Sequence, residues 1–203
     1  MRVLEVFDSL QGEGVWAGVP MTFVRLAGCN APLAGLGCVR WCDTPQSWDP
    51  ESGSEVEVEE LAAQLRLPRV CLTGGEPLLQ AEATARFSQL LEERGIALHL
   101  ETNGTAALPA EVPFAWVTVS PKPPSYEVDP SFHARIDELK LVVDGEFAPE
   151  IGERLEAEFP QAAISIQPEA AGGEDMVHSA VDMVLSHPRW RLSLQLHKLL
   201  GLP

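Results

Sequence analysis

The chain has 203 residues, of which 45% are hydrophobic, and its 30 acidic and 14 basic side chains give a formal net charge of −16. This composition predicts a packed single domain over residues 1–203, and the negative charge disfavours binding to a nucleic-acid backbone. No apolar run approaches the roughly 20 residues of a membrane span, and the N-terminus does not resemble a secretion signal, so we expect a cytoplasmic protein without membrane contact.

Short apolar runs with strand character alternate along the chain with segments whose apolar residues recur every three or four positions. This alternation predicts βαβ units and therefore an α/β fold with a mainly parallel sheet. In chain order, the predicted strands are Arg2–Phe7, Met21–Leu26, Arg69–Leu72, Ile96–Leu100, Phe114–Val119, Glu138–Val143, Ala162–Ile166 and Trp190–Leu194. The predicted helices are Val56–Leu67, Pro77–Arg94, Phe147–Phe159 and Met176–Ser186.

Polar or cysteine-containing segments follow five of the predicted strands. In α/β folds, the loops at the carboxyl ends of parallel strands meet on one rim and carry the active site. We therefore expect these five segments to surround a single site. They begin at Cys29, Thr73, Glu101, Ser120 and Gln167.

Three of the four cysteines lie close together in one stretch rich in turn-forming residues. Iron–sulfur clusters are normally held by four cysteines, so Cys29, Cys38 and Cys42 alone would leave one iron open to an external ligand. Two alternatives remain open at this point: a zinc site, for which the nearest histidine in sequence is His99, and three buried cysteines without a metal. Cys71 lies within an apolar strand candidate and is predicted to be a core residue.

Two glycine-containing loops are further candidates. Gly74 and Gly75 precede Glu76 where a strand gives way to a helix, so a ligand could approach the backbone closely and Glu76 could accept hydrogen bonds from an ammonium group. The segment Leu10–Gly14 lies between two predicted strands. Each loop also has a purely structural interpretation, as a strand-to-helix turn and as a hairpin turn respectively.

Charged residues within predicted strands need partners, because an unpaired buried charge is costly. Arg25 is predicted to pair either with a protein carboxylate or with a ligand carboxylate bound bidentately. Lys140 is predicted to pair with Asp137 or Glu138. The apolar C-terminal segment is expected to pack against the body of the protein, with His197 as a hydrogen-bonded packing residue.

Taken together and in this order, the motifs resemble the 7-carboxy-7-deazaguanine synthase family of radical S-adenosylmethionine enzymes. The resemblance runs nearly from end to end of the chain. The matching motifs are Leu10–Gly14, Phe23–Asn30, Trp41–Thr44, Thr73–Pro77, Glu101–Gly104, Ser120–Lys122, Glu138–Lys140, Gln167–Pro168 and the tail around His197.

The resemblance implies an incomplete, TIM-like α/β barrel that works as a homodimer. It also implies conversion of 6-carboxy-5,6,7,8-tetrahydropterin to 7-carboxy-7-deazaguanine and ammonia, on the way to queuosine or another deazapurine. The implied cofactors are a 4Fe-4S cluster, S-adenosylmethionine and Mg²⁺, and the implied electron donor is a flavodoxin- or ferredoxin-like protein.

The resemblance also implies roles for individual residues. Cys29, Cys38 and Cys42 would ligate the cluster, and Thr44 would bind Mg²⁺. Positions that would contact S-adenosylmethionine are Trp41, Cys42, Asp43, Gly75, Glu76, Ser120, Pro121, Lys122 and Gln167. Positions that would contact the substrate are Leu10, Gln11, Gly12, Glu13, Arg25, Thr73 and Pro203.

The spacing of the cysteines departs from the usual family pattern. Val39 occupies the position of the usual second cysteine, so we expect a bulge to absorb one extra residue between Cys38 and Cys42. Two other functions remain open: a small radical enzyme that activates a glycyl-radical enzyme, and a zinc-binding protein without catalytic activity.

Overall fold

The structure is a computed structural model that describes all residues, 1–203. Its strands are β1 (Arg2–Leu10), β2 (Pro20–Leu26), β3 (Ser54–Glu55), β4 (Arg69–Gly74), β5 (Ala97–Thr102), β6 (Trp116–Val119), β7 (Glu138–Val143), β8 (Ala163–Pro168) and β9 (Trp190–Leu192). They form one sheet in the order β3-β1-β2-β4-β5-β6-β7-β8-β9. The pairs from β2 to β9 are parallel, and β1 is antiparallel to both β2 and β3.

Six α-helices and five 3-10 turns complete the fold. The helices are α1 (Ala31–Ala34), α2 (Val58–Gln64), α3 (Ala81–Glu93), α4 (Pro149–Glu158), α5 (Gly173–Ser186) and α6 (Leu196–Leu200). The 3-10 turns are Gly37–Arg40, Pro45–Ser47, Pro50–Ser52, Pro77–Gln80 and Pro130–Phe132. No helix combines the length and the apolar character needed to cross a membrane.

The two faces of the parallel sheet have different compositions. Aligned residues such as Leu72, Leu100 and Val117 belong to the apolar core shared with the helices. The next positions along the same strands, such as Glu101 and Thr118, are polar and face the interior of the sheet's curve, where they line cavities. Because side chains alternate between the faces of a strand, one apolar face forms the core and one polar face is left for chemistry.

The predicted α/β class and mainly parallel sheet are confirmed, and β7 has the predicted bounds. The sheet is unclosed, with β3 and β9 at its edges, as in an incomplete barrel. Differences concern the ends of the elements. The first turn of the second predicted helix is a 3-10 turn, Pro77–Gln80, and β4 and β5 continue to Gly74 and Thr102 at the rim.

The connection between β1 and β2 enters the polar interior and is anchored there by Glu138. The Glu138 carboxylate accepts hydrogen bonds from the amide of Val15, at 3.0 Å, and from the hydroxyl of Ser165. Gly14 has a φ of +65°, which favours glycine, and a Cβ at this position would have to displace the same carboxylate. The hydrogen bond between Val15 and Glu138 holds the neighbouring Glu13 inside the sheet's concave face, where the site is formed.

Candidate functional site

A cavity of about 250 Å³ opens at the carboxyl ends of the parallel strands. It contains most of the residues that the sequence predicted, which come from segments far apart along the chain. The predicted residues that line it are Leu10, Gln11, Gly12, Glu13, Arg25, Cys29, Cys38, Trp41, Cys42, Asp43, Thr44, Thr73, Gly75, Ser120, Lys122, Gln167 and Pro203. The cavity is also lined by Glu101, where one of the five predicted site segments begins, and by Lys140, Gln195 and His197, for which no ligand contact was predicted.

Cys29, Cys38 and Cys42 all face this cavity as free thiols. Burial raises the pKa of Cys29 to about 11 and also raises the pKa of Cys38, and the neighbouring thiols add to both shifts. Binding to a metal would require these groups to lose their protons. The thiol of Cys71, by contrast, is buried within β4 and lies outside this cavity, as predicted for a core residue.

The donor set fits a three-cysteine iron–sulfur cluster. No three Cys, His, Asp or Glu side chains converge on one point, which is what a single zinc ion needs. A cubane cluster instead binds each thiolate at a different iron, so separated thiols around an open cavity are suitable ligands. The sulfur of Cys29 also accepts a hydrogen bond from the amide of Ala31, at 3.5 Å, a contact that stabilises thiolate character.

The long gap between Cys29 and Cys38 is folded into α1 and the following 3-10 turn. Gly35 ends α1 in the left-handed conformation, with a φ of +67°. The turn Gly37–Arg40 then closes with a hydrogen bond of 3.1 Å from the amide of Trp41 to the carbonyl of Cys38. Cys38 thereby lines the cavity and Val39 does not. The 3-10 turn is the local device that accommodates the unusual spacing.

The loop after β4 clamps the base of the cysteine segment. The amide of Glu76 donates to the carbonyl of Gly28 at 2.9 Å, and the amide of Gly28 donates to the carbonyl of Ser47 at 2.8 Å. A Cβ on Gly75 would lie 2.1 Å from the Gly28 oxygen. The glycine therefore allows two backbones to approach at the position where the first cysteine follows.

Replacing Gly75 with alanine is expected to destabilise the protein by about 1–3 kcal/mol, because the new Cβ would overlap the backbone of Gly28. Urea unfolding of the cluster-free protein measures this loss, and iron content after anaerobic reconstitution measures the associated loss of cluster. Gly145→Ala is the matched control, since no atom lies within 4 Å of its Cβ position. Equal stability of the two variants would contradict the clamp.

Glu76 and Pro121 are the two predicted contact residues that do not line the cavity. The buried Glu76 carboxylate accepts hydrogen bonds from the Thr102 hydroxyl and the Asn103 amide, both at 2.7 Å, and from the amide of Leu78, at 3.0 Å. Glu76 is fully buried outside the cavity, so these bonds use it to organise the rim loops. The geometry therefore differs from the predicted direct contact with an ammonium group.

A cation and an indole lie side by side next to the cysteines. Lys122 donates to the hydroxyl of Ser120 at 2.7 Å, and its Nζ lies 5.2 Å from the centre of the Trp41 ring. Trp41 is fixed in turn by a 3.0 Å hydrogen bond from its Nε1 to Asp144. Burial lowers the pKa of Lys122, while nearby Cys38 opposes this shift. The arrangement offers positive charge and a flat apolar surface to a ligand.

Lys140 lies at the floor of the cavity and pairs with two carboxylates from other loops. Its ammonium contacts Glu13 closely and reaches Glu101 at 3.3 Å. Burial alone would raise the pKa of Glu13, but Lys140 outweighs it and the pKa is lowered. The prediction that Lys140 pairs with Asp137 or Glu138 was wrong, because both of these carboxylates accept hydrogen bonds from main-chain amides of other segments instead.

Arg25 reaches the cavity from β2 and is already paired through one nitrogen. Its Nε donates to Glu5 at 2.6 Å, and its guanidinium lies 5.9 Å from the centre of the Phe7 ring. The two terminal nitrogens make no hydrogen bond within the protein. Arg25 thus has a protein carboxylate as partner and keeps its planar fork for a second anion.

Asp43 and Thr44 follow the last cysteine and form a hydrogen-bonded pair. The Thr44 hydroxyl donates to Oδ1 of Asp43 at 3.0 Å, and Lys198 donates to Oδ2 at 2.7 Å. Burial would raise the pKa of Asp43, but these donors lower it to about 2. Asp43 is consequently an ionised acceptor near neutral pH.

The tail residue His197 packs directly on the loop after β1. A Cβ on Gly12 would lie 2.0 Å from Nδ1 of His197, so the two segments touch with no space for a side chain. This agrees with the expected packing of the C-terminal segment. The contact could not be foreseen from either residue alone, because 185 positions separate them (197 minus 12).

Comparisons with known proteins give one family. The Radical SAM superfamily model matches residues 36–143. A protein named 7-carboxy-7-deazaguanine synthase from Synechocystis sp. is 34% identical, with 98% of this chain and 92% of that protein covered. Proteins of the same name from Bacteroides thetaiotaomicron and Caulobacter vibrioides are 37% and 39% identical. Each of these two alignments covers 99% of this chain and 98% of the other protein.

A solved structure agrees with these relatives. The crystal structure of QueE from Escherichia coli superposes with a TM-score of 0.79 at 29% sequence identity, covering 97% of this chain and 94% of that chain. Sequence and fold thus match over almost the whole length of both proteins. The chain belongs to the 7-carboxy-7-deazaguanine synthase family of radical S-adenosylmethionine enzymes.

Proposed function

We propose that this enzyme converts 6-carboxy-5,6,7,8-tetrahydropterin to 7-carboxy-7-deazaguanine with loss of ammonia. The observation that carries the proposal is the single cavity in which three free cysteines meet the substrate-loop residues Gln11 and Arg25. Enzymes of this family use a 4Fe-4S cluster, S-adenosylmethionine and Mg²⁺. When bound, the cluster and S-adenosylmethionine supply one-electron chemistry that abstracts a hydrogen atom.

The residues of the chain would bind and orient the reactants. Cys29, Cys38 and Cys42 would hold the cluster through three of its irons, leaving one iron for S-adenosylmethionine. Contacts to that cofactor would come from Trp41, Asp43, Gly75, Ser120, Lys122 and Gln167, which all line the cavity. Glu76 and Pro121 would act indirectly, by shaping the loops that carry these contacts. Holding both reactants in fixed orientation removes much of the entropic cost of their reaction.

The substrate would bind on the opposite side of the cavity. The free nitrogens of Arg25 suit the pterin carboxylate, because a guanidinium fork matches a carboxylate bidentately. The amide of Gln11 and the carboxylate of Glu13 would recognise the polar edge of the pterin. Neighbouring contacts would come from Leu10, Gly12, Thr73 and Pro203, which line the same cavity.

Anaerobic reconstitution followed by an assay with the carboxylated pterin tests this function. We expect a brown protein with about four irons per chain, and formation of 5′-deoxyadenosine together with the deazaguanine product. The proposal fails if the reconstituted protein cleaves S-adenosylmethionine equally well without the pterin and forms no deazaguanine. Cleavage of S-adenosylmethionine without formation of deazaguanine is the result expected of an activase for a glycyl-radical enzyme.

Thr44 would supply a protein oxygen to Mg²⁺, a cation that prefers oxygen ligands and keeps several waters. Replacing Thr44 with valine removes the hydroxyl at nearly constant volume. We expect the cluster to remain, with unchanged iron content, while the Mg²⁺ concentration for half-maximal turnover rises roughly tenfold. Measuring turnover across a Mg²⁺ titration tests this, and loss of the brown colour would contradict the role given to Thr44.

A single radical enzyme domain over residues 1–203 is supported by the one continuous sheet. Three free thiols at the site must stay reduced, which favours the cytoplasm. A flavodoxin- or ferredoxin-like protein would deliver the electron, and we propose that the enzyme works as a homodimer. Titration with each reduced donor and light scattering in solution test these two points.

A further inference from the structure

The C-terminal segment, residues 193–203, forms part of the cavity wall and is bonded to the loop after β1. The amide of Leu196 donates to the carbonyl of Gly12 at 2.9 Å. The hydroxyl of Ser9 donates to the carbonyl of Pro203 at 3.1 Å. We call residues 193–203 the C-terminal clasp, because the same segment also contacts the cysteine segment on the other side of the cavity.

The contact with the cysteine segment is made at Asp43. Lys198 and Gln195 both donate to Oδ2 of Asp43, at 2.7 and 3.1 Å, while Oδ1 accepts the hydroxyl of Thr44 at 3.0 Å. Gln195 also donates to Oε1 of Glu13 at 2.7 Å, and Lys198 is braced by Oε1 of Gln195 at 2.9 Å. Asp43 is therefore held from both ends, with the clasp on one oxygen and Thr44 on the other.

This geometry determines the orientation of the Thr44 hydroxyl. An ionised carboxylate only accepts hydrogen bonds, so the proton of Thr44 must point toward Asp43. The lone pairs of the hydroxyl oxygen then point elsewhere, and Thr44 lines the cavity. Because its proton is bonded to Asp43, the Thr44 hydroxyl can offer the lone pairs of its oxygen to a cation.

We propose that Lys198 is a positioning residue for Mg²⁺: through Asp43 it keeps the lone pairs of Thr44 turned toward the cation. The inference rests on the proposed function, in which Thr44 binds that ion. Partners of a metal ligand commonly affect metal affinity by 10- to 100-fold although they never touch the metal. The side chains of Lys198 and Asp43 are 39% and 48% exposed, so their ion pair adds little stability and its effect should be on geometry.

The test compares Lys198→Met with Lys198→Arg and with a distant control. Arg86→Met removes a cation of similar exposure from the Arg86–Glu59 pair, which joins two residues outside the cavity. Each variant is titrated with Mn²⁺, followed by electron paramagnetic resonance, in the presence of the carboxylated pterin and S-adenosylmethionine. Hydrogen exchange is measured separately in the cluster-free protein, at the amide of Ser47, which donates to the carbonyl of Thr44, and at the amide of Leu196 in the clasp.

We expect Lys198→Met to weaken Mn²⁺ binding roughly tenfold and to accelerate exchange at the amides of Ser47 and Leu196. Lys198→Arg should recover most of the affinity, because arginine can also donate to Asp43. Arg86→Met should match the wild type in both measurements. Unfolding temperatures within a few degrees of one another would show that the variants are folded.

The inference is overturned if Lys198→Met binds Mn²⁺ as the wild type does and exchanges at the same rate. It is also overturned if Arg86→Met weakens binding equally, because the effect would then be one of general charge. A wild-type protein that makes no deazaguanine product contradicts the proposed function. The exchange measurement reports on the clasp even then, so the two failures are distinguishable.

Discussion

Replacing Cys42 with alanine is expected to give a folded, colourless protein that cleaves no S-adenosylmethionine. Two thiolates cannot retain a cluster that three were needed to hold, and without the cluster no electron reaches the cofactor. Visible absorption, iron content and 5′-deoxyadenosine after anaerobic reconstitution measure the loss. Cys71→Ala is the control, because Cys71 is buried outside the cavity and should leave the iron content unchanged.

The same experiment decides the register of the cysteine segment. Cys38 lines the cavity and Val39 does not, so Cys38→Ala should behave like Cys42→Ala, whereas Val39→Ala should keep its colour. Activity surviving in Cys42→Ala would refute the ligand assignment. A brown, iron-loaded Cys38→Ala variant would show that the 3-10 turn is not the device that presents the second ligand.

Replacing Lys140 with methionine is expected to destabilise the cluster-free protein by about 3–5 kcal/mol at neutral pH. The change removes the only cation paired with Glu13 and Glu101, and an uncompensated buried charge is strongly destabilising. Urea unfolding of the wild type and the variant measures the difference. The exposed pair of Arg86 and Glu59 supplies the matched control, since Arg86→Met should cost no more than about 1 kcal/mol.

The deficit of Lys140→Met should shrink as the pH falls. In the wild type, the folded pKa of Glu13 is below its unfolded value, so its stabilisation is present at neutral pH and is lost as the pH falls through that folded pKa. In the variant, burial acts without the ammonium and raises the folded pKa instead. The folded variant then binds a proton more readily than the unfolded chain. Acidification from about pH 7 to about pH 4 therefore reduces the loss of stability caused by the substitution.

Urea midpoints measured at several pH values test this reasoning. The two curves should converge toward the acid end of the range. A deficit that stays constant with pH would mean that the loss comes from packing of the aliphatic stem of Lys140 and not from the unpaired carboxylates.

The cysteine segment shows both the reach and the limit of prediction from sequence. The sequence predicted that Cys29 follows a strand, because an apolar run ends shortly before it and neighbouring residues determine the local pattern of burial. How Cys38 reaches the cavity could not be read. The answer depends on a short helix and a 3-10 turn, and the amide of Gly37 is held by the carbonyl of Pro123, a distant residue.

The partners of the buried charges show the same division. The sequence predicted that Lys140 needs an anion, because it lies within a predicted strand, where an unpaired buried charge is costly. It pointed to the neighbours Asp137 and Glu138, whereas the structure pairs Lys140 with Glu13 and Glu101, which are 127 and 39 positions away. Partner choice is decided by which strands and loops meet in the folded interior, since Glu13 lies on the loop after β1 and Glu101 on β5.

The amino-acid sequence by itself determined the α/β class, the order of the strands along the chain, the family and the loops that carry chemistry. These follow from local patterns and from motifs in a fixed order. Only the tertiary structure decided which charges pair, which donors bond to Glu76 and which residue of the cysteine segment the C-terminal clasp contacts. Such contacts join residues that are far apart along the chain, and their distances exist only once the sheet has curved and its interior has been filled.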